Sequence, residues 1–147
     1  MPMSIQAEAG LILKLYELRR EETLRKARDW YLREFFPESM EEFNKTMFGA
    51  QSGYLRMVVT YWDMAAALVN SGAINAQLFN ESNGEHIGVF GRVEPLLGEI
   101  RAGIAPQFAA NLEKLIDATP DGRKRTAANR ERMKSIRAQL SQQPAKT

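Results

Sequence analysis

Residues 54–69, opening at Tyr54 and closing at Val69, constrain the fold more than any other stretch of the chain. Apolar side chains stand at 54, 58, 61, 65 and 68 and again at 55, 59, 62, 66 and 69, two adjoining rows at helical spacing. Only Arg56, Thr60 and Asp63 break an otherwise apolar surface. A helix that is apolar nearly all round has to be enclosed by other elements, so the segment is expected at the centre of a helical assembly. The β-branched run Val58-Val59-Thr60 offers a strand reading, but sixteen residues is long for a strand. A membrane span needs about 20 apolar residues, whereas Arg56 and Asp63 interrupt this run and Asn70-Ser71-Gly72 follow it.

The flanking segments supply that enclosure. From residue 4 to residue 36 there is no proline and one glycine, Gly10, and apolar residues recur through Ile5, Ala9, Ile12 and Tyr16, then Leu24, Ala27, Tyr31 and Phe35. The pattern predicts a long N-terminal helix with a solvated ladder Glu21, Arg25, Asp29, Arg33. Unbroken, about 32 residues would run about 48 Å, longer than a compact domain of this size, roughly 38 Å across. The helix is therefore expected to bend near residues 17–22, to protrude, or to be covered by a second chain. Pro37 stops it, and Ser39 with Glu42 forms a capping box for a short helix ending before Gly49. Gly72 is expected as a left-handed helix terminus and Asn75 as the cap of a turn through Phe79. A helix over residues 85–102 is expected to kink at Pro95, which frees a carbonyl, and Pro106 to open a helix through Ala118. Thr119-Pro120-Asp121-Gly122 is a turn, and residues 123–140 are helix-prone and basic. The fold class is all-α, an irregular bundle of five to seven helices, with a helical domain at 1–120 and a basic tail, helical or partly disordered, at 121–147.

Charge divides along the same line. Residues 1–120 hold 12 basic and 16 acidic side chains, a net −4; residues 121–147 hold 8 basic and 2 acidic, a net +6. A basic segment on an acidic body contacts a polyanion or its own body. Arg123, Lys124, Arg125, Arg130, Arg132, Lys134 and Arg137 are the candidate polyanion contacts, with no aromatic interleaved and no base-reading motif around them. Any nucleic-acid binding is thus expected to be weak and independent of sequence.

Catalytic constellations are missing. Without cysteine there is no disulfide framework, thiolate metal site or thiol nucleophile. The single histidine, His86, belongs to no Glu-x-x-His pair, and is expected partly exposed near a helix start, with Glu81 and Glu85 beside it as a remote metal alternative. No catalytic, cofactor or metal residue is assigned. Gly84, Gly88, Gly91, Pro95 and Gly98 fall on one helical face, which predicts close approach of another helix; the alternative is a cleft beside Gly88 and Gly91. Arg56 and Asp63 share one side of the central segment, either as a structural ion pair or as a polar patch of that cleft.

The order Asp29-Trp30-Tyr31, Tyr61-Trp62-Asp63, Gly72-Ala73-Ile74-Asn75-Ala76-Gln77-Leu78-Phe79 and Phe90-Gly91-Arg92-Val93-Glu94-Pro95-Leu96-Leu97 resembles a bacterial family of small helical proteins known as a domain of unknown function, over about residues 11–117. Members often carry an N-terminal membrane helix, for which no apolar stretch is found here, and often a turn where Arg19 to Glu22 lies. The resemblance implies an all-α fold and no particular chemistry. The expected function is a non-enzymatic helical interaction or scaffold module, cytoplasmic and homodimeric, since Ile5, Ile12 and Tyr16 on a protruding helix need a cover. The rival is a small-molecule binding protein or hydrolase with Asp63 or Glu85 as acid.

Overall fold

The apolar segment is the hub of the fold. The computed structural model describes residues 4–142 and is all-helical. Its helices are α1 (Ile5–Arg19), α2 (Glu22–Glu34), α3 (Met40–Met47), α4 (Ser52–Asn70), α5 (Ala76–Ser82), α6 (Glu85–Val93), α7 (Leu97–Ala102), α8 (Ala110–Ala118) and α9 (Gly122–Ser141), with a 3-10 turn Glu94–Leu96 between α6 and α7. Helix α4 is surrounded by α2, α3, α5, α6 and α8, and Trp62 is 1% exposed. Tyr31, Phe43, Phe79 and Phe90 are also fully buried, and Phe35 with Phe43 and Trp62 with Phe79 form edge-on aromatic pairs. Side chains of that size carry much of the buried apolar area of a small domain. No strand occurs among the described residues.

Local chemistry places most of the boundaries. The Ser39 hydroxyl accepts the Glu42 N–H at 3.2 Å, while the Glu42 carboxylate accepts the Glu38 N–H at 2.6 Å. Gly72 adopts φ +89° and closes α4 with two reverse bonds, Ala73 N–H to Leu68 O and Gly72 N–H to Val69 O, a Schellman ending that requires the left-handed conformation. The Asn75 side chain caps α5 through the Leu78 N–H, and the helix continues beyond the expected turn to Ser82.

Three expectations need correction. The long N-terminal helix is two helices: Glu21 takes up the N-cap position, its carboxylate accepting the Leu24 N–H at 2.9 Å, so a new helix starts where the old one ends. Arg28 donates to the Arg19 carbonyl at the end of α1. The turn thus lies where the resembled family often has one, and the helices outnumber the expected five to seven largely because of this break and of the interruption at Pro95. Glu21 is consequently absent from the exposed ladder, which is left with Arg33–Asp29 at 2.7 Å and Lys26–Glu22 at 3.1 Å. Finally, Pro106 does not open a helix. Arg101 Nε–H donates to the Phe108 carbonyl at 3.0 Å, Ala109 turns into the left-handed region at φ 53°, and α8 begins only at Ala110.

Among the described residues, no helix is long and apolar enough to cross a membrane. The basic segment is helical as expected, and its first half is docked. Gly122 and Thr126 are buried, and α9 lies across α6 and α8.

Candidate functional site

The residues singled out in the sequence separate into three places. Gly88 and Gly91 form the contact between α6 and α9: a Cβ on Gly91 would stand 3.0 Å from the Thr126 carbonyl, and one on Gly88 3.1 Å from the Asn129 side chain. This is the close helix approach that small residues permit. The stripe does not extend to Gly84 or Gly98, whose faces are open. A depression of about 210 Å³, lined by Gly84, Ile87, Arg125, Ala128, Asn129 and Arg132, adjoins the contact. Pro95 frees the Gly91 carbonyl as expected, and Arg130 Nη1–H takes it at 3.1 Å.

Arg56 and Asp63 do not pair. Exposed Arg56 donates to the Ser52 hydroxyl, and Asp63 serves α8 instead. Its carboxylate accepts the Leu112 N–H at 2.9 Å and the Asn111 side-chain amide at 3.0 Å, satisfying an orphan donor at a helix start that has no local cap.

The basic residues of α9 divide by face. Arg123 is held by Asp117, Glu94 and Glu113 at 2.6–2.8 Å, and Arg130 by Glu94 at 3.0 Å. Glu94 also accepts the Thr126 hydroxyl. Burial opposes ionisation of Glu94, but its hydrogen bonds from Arg123, Arg130 and Thr126 outweigh that and hold its pKa below the ordinary carboxylate range. Sequence reasoning missed this hub, although Arg123 and Arg130, seven residues apart, share a helix face. Lys124, Arg125 and Arg132 are exposed and enter no ion pair among the described residues. Lys134 reaches Glu131 loosely at 3.6 Å.

The second half of α9 overhangs the end of α2 and the start of α3, leaving a groove of about 790 Å³. Arg130, Lys134 and Arg137 line it on the α9 side, and Glu34, Glu38 and Glu42 on the other, with Trp30 and Phe36 also in its lining. Arg92 is 4% exposed; its Nη atoms donate to the carbonyls of Tyr31, Phe35 and Leu32, the negative end of the α2 dipole. The Arg92 guanidinium lies 3.7 Å from the centre of the Phe36 ring and that of Arg137 4.4 Å from it. Burial pushes the Arg92 pKa down; Tyr31 opposes the shift and the charge of Arg137 adds to it.

At the other end of the molecule, α1 is apolar on most sides but buries only Ile12 and Leu15, and Tyr61 hydroxyl donates to the Leu15 carbonyl. Ile5 is 63%, Leu13 67%, Tyr16 48% and Leu18 42% exposed.

His86 overturns its expectation. It is fully buried between Trp62 and Phe79, with Nε2 3.0 Å from Asn80 Oδ1. Glu85 does not join it in a ligand set. Its carboxylate accepts both Arg28 donors at 2.8 Å and the Trp62 indole N–H at 2.9 Å, and no cluster of potential metal ligands occurs among the described residues. Burial lowers the His86 pKa to about 4; Arg125 adds to the shift and Glu85 opposes it. The unfolded chain therefore binds a proton between pH 6.5 and 4 that the fold refuses, so stability falls as pH drops through that window. The expected loss is about 3 kcal/mol. Urea unfolding at pH 7 and pH 4.5 checks it, and His86→Gln should flatten the difference.

No curated protein and no solved structure matches the chain. A family model described as Domain of unknown function (DUF4760) matches residues 4–119, from the N-cap of α1 to the turn after α8, with α9 outside it. With that much of its length matched, the chain belongs to this family of unknown function.

Proposed function

We propose that this chain is a non-enzymatic helical interaction module that self-associates through α1. The observation that carries the reading is the exposure of Ile5, Leu13, Tyr16 and Leu18 on a helix anchored by only two buried side chains. Ile5, Leu13 and Tyr16 lie within about 80° of one another around the helix axis, Leu18 on the other side, and contiguous exposed apolar surface of this kind marks a contact site. Ile5, Ala9, Leu13 and Tyr16, at offsets 0, 4, 8 and 11, form the accessible stripe of α1, whereas Ile12 beside it is turned into the core. Two antiparallel copies of α1 related by a two-fold axis then set Ile5 against Tyr16 and Ala9 beside Leu13, each pair occurring twice, as an isologous interface requires.

A 15-residue helix buries less than a standard interface, so the dimer is expected to be of micromolar strength. Sedimentation velocity from low to high micromolar protein should show a concentration-dependent shift to the dimer, abolished in the double variant Leu13→Glu, Tyr16→Glu. A wild-type chain that stays strictly monomeric at high micromolar concentration removes the proposal.

A further inference from the structure

The overhang of α9 places charge where the fold has no use for it. Arg130, Lys134 and Arg137, at offsets 0, 4 and 7, occupy one face of the helix and line the 790 Å³ groove. Arg130 is committed to Glu94 and to the Gly91 carbonyl. Arg137 has neither a carboxylate nor a carbonyl partner among the described residues; it rests on the Phe36 ring, over which the Arg92 guanidinium also lies. One ring offsets only a fraction of one cationic charge. The carbonyls at the end of α2 balance Arg92, although its buried Nε finds no acceptor among the described residues. The excess positive charge of the pair is thus concentrated at Arg137, with Lys134 one turn away.

The other side of the groove limits what fits. Glu34, Glu38 and Glu42 repel an extended polyanion laid along the groove, whereas a compact anionic group at the α9 wall stays with the cations. Trp30, Phe36 and Pro37 add apolar surface for the rest of a ligand.

From this we infer that the groove is a binding site for a small organic oxyanion, its phosphate or carboxylate group held by Arg137 and Lys134 and its apolar body lying against Phe36 and Trp30. A planar guanidinium with free donors suits such a group because it can offer two parallel hydrogen bonds. The inference does not depend on self-association, and its test is run on the wild type and on the Leu13→Glu, Tyr16→Glu variant alike.

The probes are phenyl phosphate, phenylacetate and inorganic phosphate, titrated at low salt and followed by two-dimensional NMR of backbone, Trp30 indole and arginine Nε–H signals. Saturable shifts centred on Arg137, Lys134, Phe36 and Trp30 are expected with at least one aromatic probe, and the stronger of the two identifies the anionic group. Arg137→Gln should weaken binding about tenfold, and Phe36→Leu should weaken the aromatic probe while sparing inorganic phosphate. Circular dichroism equal to wild type shows that each variant is folded; should Phe36→Leu disturb the fold, Arg137→Gln and Lys134→Gln carry the test. Shifts that do not saturate overturn the inference. So do shifts of equal size at the outward-facing Lys124, Arg125 and Arg132, or wild-type affinity in Arg137→Gln.

Discussion

Glu85→Ala is expected to lower the unfolding free energy by about 2–3 kcal/mol, below the cost of about 3–5 kcal/mol for breaking a fully buried ion pair because this one is partly exposed. The reason lies in what Glu85 satisfies. Its two oxygens accept Arg28 at both Nε and Nη2 and also the indole N–H of Trp62, and its side chain is 13% exposed against 19% for Arg28. Alanine leaves a guanidinium and an indole donor without acceptors at the junction of α2, α4 and α6, the first turn of α6 packing on both older neighbours. Glu85→Gln retains an acceptor for Trp62 and should cost about half as much. Arg33→Ala, which breaks an exposed i,i+4 pair, should change stability by less than about 0.5 kcal/mol. Chemical denaturation at pH 7 distinguishes the three, and equal effects of Glu85→Ala and Arg33→Ala would contradict the ranking.

Gly91→Leu is the second large effect, and it acts on the seating of α9. A side chain at 91 points at the Thr126 carbonyl from 3.0 Å, so it can be accommodated only by moving α9 outward. That movement stretches the bond from Arg130 to the Gly91 carbonyl and draws Arg123, Thr126 and Arg130 away from Glu94. Overpacking of a tight contact costs about 1–3 kcal/mol, and loss of the charged hydrogen bonds adds to it. Trypsin provides a sensitive readout because α9 is rich in arginine and lysine: cleavage within residues 122–142 should accelerate several-fold relative to wild type, while the remainder of the chain stays protected. Gly98→Ala is the matched control. No atom lies within 4 Å of the added methyl, and a helical glycine gives way to alanine with a gain of up to about 1 kcal/mol.

The contrast between these two glycines shows what the sequence discloses. Spacing alone puts Gly84, Gly88, Gly91 and Gly98 on one face, and the packing of α9 on Gly88 and Gly91 follows that pattern. The same spacing assumes one continuous helix, and the 3-10 turn at Glu94–Leu96 takes Gly98 off the shared face. Elements governed by short-range chemistry were legible in the same way: the Ser39 capping box, the Gly72 terminus, the Asn75 cap and the carbonyl freed by Pro95.

What stayed hidden depends on partners far along the chain. Asp63 reads as half of an ion pair with Arg56, yet it caps a helix that starts 47 residues later. Glu85 and His86 read as a polar helix start, yet Arg28 and Trp62 enclose the one while Trp62 and Phe79 enclose the other. The break before α2 was only partly legible, for a different reason. Glutamate is an uncommon N-cap, so the residues themselves mark no helix start, and a bend near residues 17–22 stood only as one of three ways to accommodate the helix length. Arg92, the floor of the groove, has no local signature, because its acceptors are three carbonyls contributed by α2 and the residue after it.

Cross-linking tests the meeting of two copies at α1 most directly, and the absence of cysteine from the chain makes it clean. Single variants Ile5→Cys and Tyr16→Cys are mixed in equal amounts under mild oxidation, with Glu99→Cys, on the exposed surface of α7, as the control. The antiparallel seam predicts rapid formation of the mixed disulfide between position 5 of one copy and position 16 of the other, faster than either variant alone and far faster than the control. Rates for the mixture no higher than those of Glu99→Cys would contradict the account.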